Sequence, residues 1–243
     1  MEEKIRKLET SIVNTYVEDF KFKLDEVVSM GESPIEKLMI LQLFNYFQKY
    51  DKKSLDDDTS KFTSIQFIEE ELCLFNFPDD DEPLSNYQLK VLTEKVEKFN
   101  YRFKNGMYYK FIGFKCTINH SEPITLVSGD NDIYFRDIEI RPQHYQFFND
   151  NYNRVDIAFI LKRRNWFNDN KLIEERKIAI ECDGYDYHSS PSQKREDDIR
   201  SRKLKRAGWK DIIRYSGSEI YHINNNLNHM DYNFEELMDI IML

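Results

Sequence analysis

The chain has 243 residues, of which 40% are hydrophobic and 33% charged, and its formal net charge at pH 7 is -9. Such a composition excludes a disordered chain, and no apolar run approaches the roughly 20 residues that a membrane-spanning helix needs. The N-terminus has no apolar segment followed by a small-residue cleavage site, so we expect a cytoplasmic protein without a membrane partner. The three cysteines are too widely spaced to indicate a disulfide framework or a structural zinc site.

The charge is distributed unevenly along the chain. Residues 51–82 carry eleven acidic and three basic side chains, a local balance of -8, whereas residues 193–214 carry nine basic and four acidic ones, a balance of +5. A charged run is most often a solvated surface. The overall negative charge argues against binding nucleic acid through bulk charge, so such a function would have to rest on a local site.

The first 50 residues have the pattern of two helices. Apolar residues recur at helical spacing between residues 2 and 30, and Gly31 provides a stop. A second helix then begins at Ser33, which can cap it, followed by Pro34 at the first helical position and Glu36 as the capping-box acid. The acidic stretch 51–82 has no clear periodicity, and a third helix is predicted for residues 86–101.

Beyond Gly106 the pattern changes to strands. Three are predicted at residues 108–118, 124–129 and 132–142, followed by two nearly uninterrupted apolar runs at 155–161 and 177–183. Runs that are apolar on both faces are typical of central strands. A helix at 191–207 and a strand at 211–215 then complete a β-α-β unit, and an amphipathic segment lies at 234–241.

Acidic residues interrupt these two apolar runs. Asp156 lies in the first, and Glu181 and Asp183 end the second, where an unpaired buried carboxylate would be costly. A hairpin between the runs would place Asp156 opposite residue 182 and beside both other acids. Three carboxylates this close need a cation, and hard oxygen ligands suit Mg²⁺ or Mn²⁺.

Several neighbouring residues extend this candidate site. His188 follows the second run and could act as a general acid or base or contact phosphate, and the basic helix begins just after it. Structural roles are also available, because Asp156 could pair with Arg154 and a capping box alone explains Glu36. Cys182 is expected in the core, since it faces away from Glu181.

An ordered series of residues runs along these elements: Ser33 to Glu36, Arg154 to Phe159, Ile180 to Gly184 with His188, Asp198, Arg202, Leu204, Gly208-Trp209 and Ile213 to Tyr215. Taken in order, these residues resemble the PD-(D/E)xK nuclease superfamily. The pattern is similar to that of the very-short-patch-repair endonuclease and its restriction-endonuclease-like relatives. The resemblance covers residues 153–215 and Glu36, and little between residues 50 and 130.

This resemblance implies an α/β protein with a restriction-endonuclease-like core, that is, a helix, a mixed central sheet and a β-α-β unit. The N-terminal helices at 1–50 would include the first core helix, residues 51–130 would be a long insertion of helices and antiparallel strands, and residues 131–243 would form the nuclease core. The implied activity is metal-dependent endonucleolytic hydrolysis of phosphodiester bonds in DNA, with Mg²⁺ or Mn²⁺ as cofactor.

The resemblance also assigns roles to single residues. Asp156, Glu181 and Asp183 would bind the metal, Glu36 would be the helix acid, and His188 would be catalytic or contact phosphate. The superfamily has a lysine where this chain has Asp183, so the missing positive charge would come from His188, Lys194 or a neighbour such as Arg202. The expected DNA contacts are made by Lys194, Arg195 and Arg202.

Two alternatives stay open. The chain could be a nuclease-fold subunit without catalytic activity that binds DNA or protein, with the acidic insertion as the contact surface. It could also be a ribonuclease. A second copy of the chain or another protein could bind through the insertion at 51–130. Restriction, phage defence, repair and mobile-element processing are all compatible roles.

Overall fold

The structure, a computed structural model, describes residues 2–53, 60–62, 65–75, 83–93, 99–102, 106–120, 134–148, 152–165, 172–183, 191–225 and 237. In these residues helices cover both faces of a mixed sheet, which makes the chain an α/β protein. The elements in chain order are α1 (Glu2–Ser29), α2 (Pro34–Lys53), β1 (Ser60–Phe62), β2 (Gln66–Phe75), α3 (Asn86–Thr93), β3 (Phe99–Arg102), β4 (Gly106–His120), β5 (Tyr134–Phe147), β6 (Tyr152–Asn165), β7 (Leu172–Asp183), α4 (Pro191–Arg206), β8 (Trp209–Ser216) and α5 (Gly217–Asn225).

The sheet combines an antiparallel meander with one parallel pair. Its order is β1-β4-β5-β6-β7-β8, and β2 and β3 also pair with β4. Strands β4 to β7 pair antiparallel with their neighbours in sequence, whereas β7 and β8 are parallel and are connected through α4. The predicted β-α-β unit is therefore confirmed, and the strands of residues 60–120 belong to the same sheet as those of the second half of the chain.

The apolar runs of β6 and β7 are buried because both faces of the sheet are covered. On one face Ile157 and Phe159 pack with Ile178 and Ile180 against the apolar side of α2. On the other face the side chains are smaller, and Leu204 of α4 and Trp209 pack on them. Each fully buried large side chain of this kind contributes about 1.5–3 kcal/mol to stability. The residues of this second face are Ala158, Ile160 and Ala179.

Two helices differ from the sequence-based prediction. Of the helix predicted for 86–101, the structure describes Asn86–Thr93 as helical, whereas residues 99–102 form β3, which pairs antiparallel with β4. Long-range strand pairing here overrides a local helical pattern. The helix α5 was not predicted.

Two predicted segments fall wholly or largely outside the described residues. The strand predicted at 124–129 lies outside them, and of the C-terminal segment at 234–241 only Leu237 is described, as helical and buried. Among the helices that the structure describes, none combines the length and the apolar character needed to cross a membrane.

Candidate functional site

Four acidic side chains from three elements gather at one end of the sheet. Glu36 lies in the first turn of α2, Asp156 on β6, and Glu181 and Asp183 at the end of β7. Burial raises the pKa of the Cys182 thiol between them, and the negative charges of all four carboxylates raise it further. The structure therefore brings these four predicted site residues together around one position.

Asp156 lies where the pairing of β6 and β7 ends. The last pair is Ile157 with Ile180, so the same register continues with Asp156 opposite Glu181. The predicted register, with Asp156 opposite residue 182, was wrong by one residue. Beyond the last pair the backbone N–H of Cys182 donates to Asp156 Oδ2 over 2.8 Å. A carboxylate thus satisfies a backbone donor just past the last paired residues.

The environment of Asp156 disfavours its charge. Burial raises the pKa of Asp156, and the nearby negative charge of Glu36 raises it further. The hydrogen bond from Cys182 and the positive charges of Arg200 and Arg154 act in the opposite direction but do not reverse the shift. A cation beside this carboxylate would therefore be favourable.

The regular alternation of β6 breaks at Asp156. Val155 packs on the α4 side together with Ala158, whereas Ile157 packs on the α2 side. On the neighbouring strand β5 the corresponding residue is Gln143, which has φ 52°, a left-handed conformation that is uncommon outside glycine. The irregular backbone of both strands is thus located beside the cluster of acids.

Glu36 connects helix α2 to this irregular point of the sheet. The capping box is confirmed, because the N–H of Glu36 donates to Ser33 Oγ over 3.2 Å and the N–H of Ser33 donates to Glu36 Oε2 over 3.3 Å. The same oxygen accepts from the N–H of Glu32 at 2.8 Å and from Gln143 Nε2 at 2.5 Å. Glu36 is buried, so these bonds fix both the helix start and its position on β5.

Arginine side chains balance part of the acidic charge. Arg200 Nη2 lies 2.9 Å from the carboxylate of Glu181 and also donates to the carbonyl of Arg154. Arg214 Nη1 lies 3.4 Å from Asp183 Oδ2. Burial nevertheless raises the pKa of Glu181 to about 8, because its side chain is only 2% exposed and the attraction of Arg200 offsets only part of the desolvation.

The carboxylate groups of the cluster are suitable ligands for a hard divalent cation, although in the structure they contact other protein groups. Among the described residues no three His, Cys, Asp or Glu side chains are placed so as to hold a metal ion. Asp156 accepts from Cys182, whereas Glu181 and Asp183 contact arginines. Carboxylate oxygens are nonetheless the ligands that Mg²⁺ prefers, and a cation would counteract the raised pKa values of Asp156 and Glu181. Asp156, Glu181 and Asp183 are the residues that would hold it.

The remaining predicted residues are less closely defined. His188 lies outside the described residues. Lys194, Arg195 and Arg202 lie on the exposed surface of α4. The helical residue that contacts the acids is instead Arg200, which sequence reasoning missed. Its position was detectable, because it precedes the buried Leu204 by four residues and so lies on the inner face of α4.

Comparisons with protein-family models, with curated proteins and with solved structures found no match to this chain.

Proposed function

We propose that this protein is a metal-dependent endonuclease with a restriction-endonuclease-like core, and that it hydrolyses phosphodiester bonds in DNA. The observation that supports this proposal best is the gathering of four carboxylates and Arg200 at one end of the sheet. Desolvation of Asp156 and Glu181 is not fully offset by the protein's own cations. Such a cluster can bind a divalent cation, and its arginines can bind a phosphate group.

Each group has a role that follows from its position. Asp156, Glu181 and Asp183 would hold Mg²⁺, which when bound would polarise the phosphate and lower the pKa of a water molecule. Arg200 lies at the same end of the sheet, and its guanidinium would donate two parallel N–H groups to a phosphate, supplying the charge that a lysine supplies elsewhere in the superfamily.

Glu36 would act through its position. Its carboxylate is held by backbone donors and by Gln143, and its charge is felt by Asp156. It therefore strengthens the preference of the cluster for a cation. His188 keeps the proton-transfer or phosphate-binding role that the family resemblance implies, as does Lys194, and Lys194, Arg195 and Arg202 are proposed to contact the DNA backbone from the exposed side of α4.

The proposal is tested with Asp156→Asn, which keeps the size of the side chain and removes its charge. We expect plasmid cleavage in Mg²⁺ or Mn²⁺ to fall by more than about 100-fold, because a metal ligand is lost. Asp137→Asn is the matched control, since Asp137 lies on the same sheet and pairs with Arg164 away from the cluster. It should cleave as the unaltered protein does. Equal cleavage by both variants, or no metal-dependent cleavage by the unaltered protein, would contradict the proposal.

A nuclease-fold subunit without catalytic activity is the second candidate. It is favoured by the contacts of Glu181 and Asp183 with arginines, which leave no three described acids in a metal-binding arrangement. Calorimetric titration with Mn²⁺ separates the two candidates, because only the enzyme needs a binding site that is lost in Glu181→Gln. Parallel digestion of labelled DNA and RNA with the same preparation decides between a deoxyribonuclease and a ribonuclease.

A further inference from the structure

Most of helix α1 lies outside the packed core of the described residues. Only its last two turns are packed, through Leu24 and the fully buried Val27, against the core on the α2 side. Residues 4–23 are exposed on every side of the helix. Twenty helical residues span about 30 Å, so a long part of α1 is exposed to solvent.

The exposed part of α1 nevertheless has an apolar side. Its large apolar residues recur every three or four positions, continue the row that ends in Leu24 and Val27, and keep 45% to 76% of their surface exposed. A helix that is solvated all round does not need such a row. The apolar row consists of Ile5, Leu8, Ile12, Val13, Tyr16, Val17 and Phe20.

We propose that the apolar row of α1 binds the same row of a second copy of the chain in antiparallel orientation, centred between Ile12 and Val13. In that register Ile5 lies beside Phe20 of the other copy, and Leu8 beside Val17. The interface is isologous, as in most homodimers. The two folded bodies then lie at opposite ends of the helix pair, so they do not collide.

A polar residue on the apolar side of α1 favours the antiparallel orientation. Glu9 lies on the apolar side, four residues after Ile5 and three before Ile12. In a parallel pair it would face the other copy's Glu9, whereas in the antiparallel pair it faces Tyr16, whose hydroxyl can donate to it.

The exposed area is sufficient for a stable pair. At roughly 100 Å² per half-exposed side chain, the seven side chains of the row offer roughly 700 Å², close to the roughly 800 Å² that one partner contributes to a standard-size interface. Without a partner this much contiguous apolar surface would be unfavourable in water. The proposal does not depend on the nuclease activity.

The first test is the mass in solution by light scattering after gel filtration. At about 50 µM, well above a micromolar Kd, we expect twice the chain mass of 29.4 kDa. Ile12→Asp should give a monomer, because it places a charge at the centre of the interface. Asn14→Asp adds the same charge two residues further on, on the opposite side of the helix, and should remain dimeric. Circular dichroism confirms that both variants keep their helices.

The second test fixes the orientation by disulfide formation. A mixture of Ile5→Cys and Phe20→Cys proteins should form a mixed disulfide between the two new thiols under mild oxidation, identified by mass spectrometry of the linked peptides. Ile5→Cys alone should not link to itself through residue 5. A monomeric unaltered protein, a dimeric Ile12→Asp variant, or self-linked Ile5→Cys would each overturn the proposal.

Discussion

Replacing Glu181 with glutamine removes a buried carboxyl group whose surroundings favour the protonated form. The pKa of Glu181 is raised from 4.5 to about 8, mainly by burial. Between these two values the unfolded chain has released the proton and the folded protein still holds it, so ionisation favours unfolding as the pH rises. Below pH 4.5 both states carry the proton, and this cost disappears.

The size of the effect follows from the shift. Each pH unit between the two pKa values costs about 1.4 kcal/mol. Glutamine resembles the neutral carboxyl group, so Glu181→Gln should be more stable than the unaltered protein by about 3 kcal/mol at pH 7 and by less than about 1 kcal/mol at pH 5. Urea denaturation at pH 5, 6 and 7, with EDTA present to remove divalent cations, measures this difference directly.

Glu174→Gln on the same strand is the control with the opposite sign. A hydrogen bond from Arg176 lowers the pKa of Glu174, so that variant should lose a little stability at neutral pH and recover it in acid. The reasoning about Glu181 is refuted if its variant shows a stability difference independent of pH. It is also refuted if Glu181→Gln is the less stable protein at pH 7, since the ionised pair with Arg200 would then be stabilising.

Two further substitutions probe the site and the sheet. Arg200→Gln should bind Mn²⁺ several-fold more tightly, because Arg200 competes for Glu181, and should cleave DNA at least about tenfold more slowly. The cleavage rate of Arg200→Lys should lie between those of Arg200→Gln and the unaltered protein. Weaker Mn²⁺ binding by Arg200→Gln in calorimetry would show that Arg200 only supports the site. Gly113→Ala should lower the free energy of unfolding, measured in urea, by about 3 kcal/mol, because the new Cβ would lie 2.2 Å from the carbonyl oxygen of Ile140. The control Gly208→Ala has no atom within 4 Å of its new Cβ but has φ 88°, so it should cost only about 1–2 kcal/mol. Equal losses in the two variants would contradict the close approach of the strands at Gly113.

Much of the fold was predictable from local pattern. The continuous apolar runs around Asp156 and Glu181 identified β6 and β7, because a strand covered on both faces has no polar side. The start of α2 was equally clear, since Ser33 and Glu36 cap it through their own side chains and need no distant partner. Signals of this kind depend on neighbours in sequence, and they gave the correct elements.

Contacts between segments that are distant in the sequence were harder to predict. The hairpin register was wrong by one residue because the predicted turn carries no residue that fixes it. The contact of Gln143 with Glu36 depends on a left-handed residue within a strand, which composition does not indicate. Arg200 is one of many basic residues on α4, and it is the burial of Leu204 that determines which of them face inward.

The connections of helix α2 affect the order in which the protein can be completed during synthesis. Glu36 bonds to Gln143 across 107 residues, and Gln42 Nε2 donates to the carbonyl of Ile220 across 178 residues. Closing such long loops is entropically costly and comes after local pairing such as the β4 to β7 meander. An emerging chain therefore carries Glu36 long before its partners exist, and the acidic cluster can form only after β7 has left the ribosome. Chains that terminate before β7 would lack Glu181 and Asp183 and could not assemble the site.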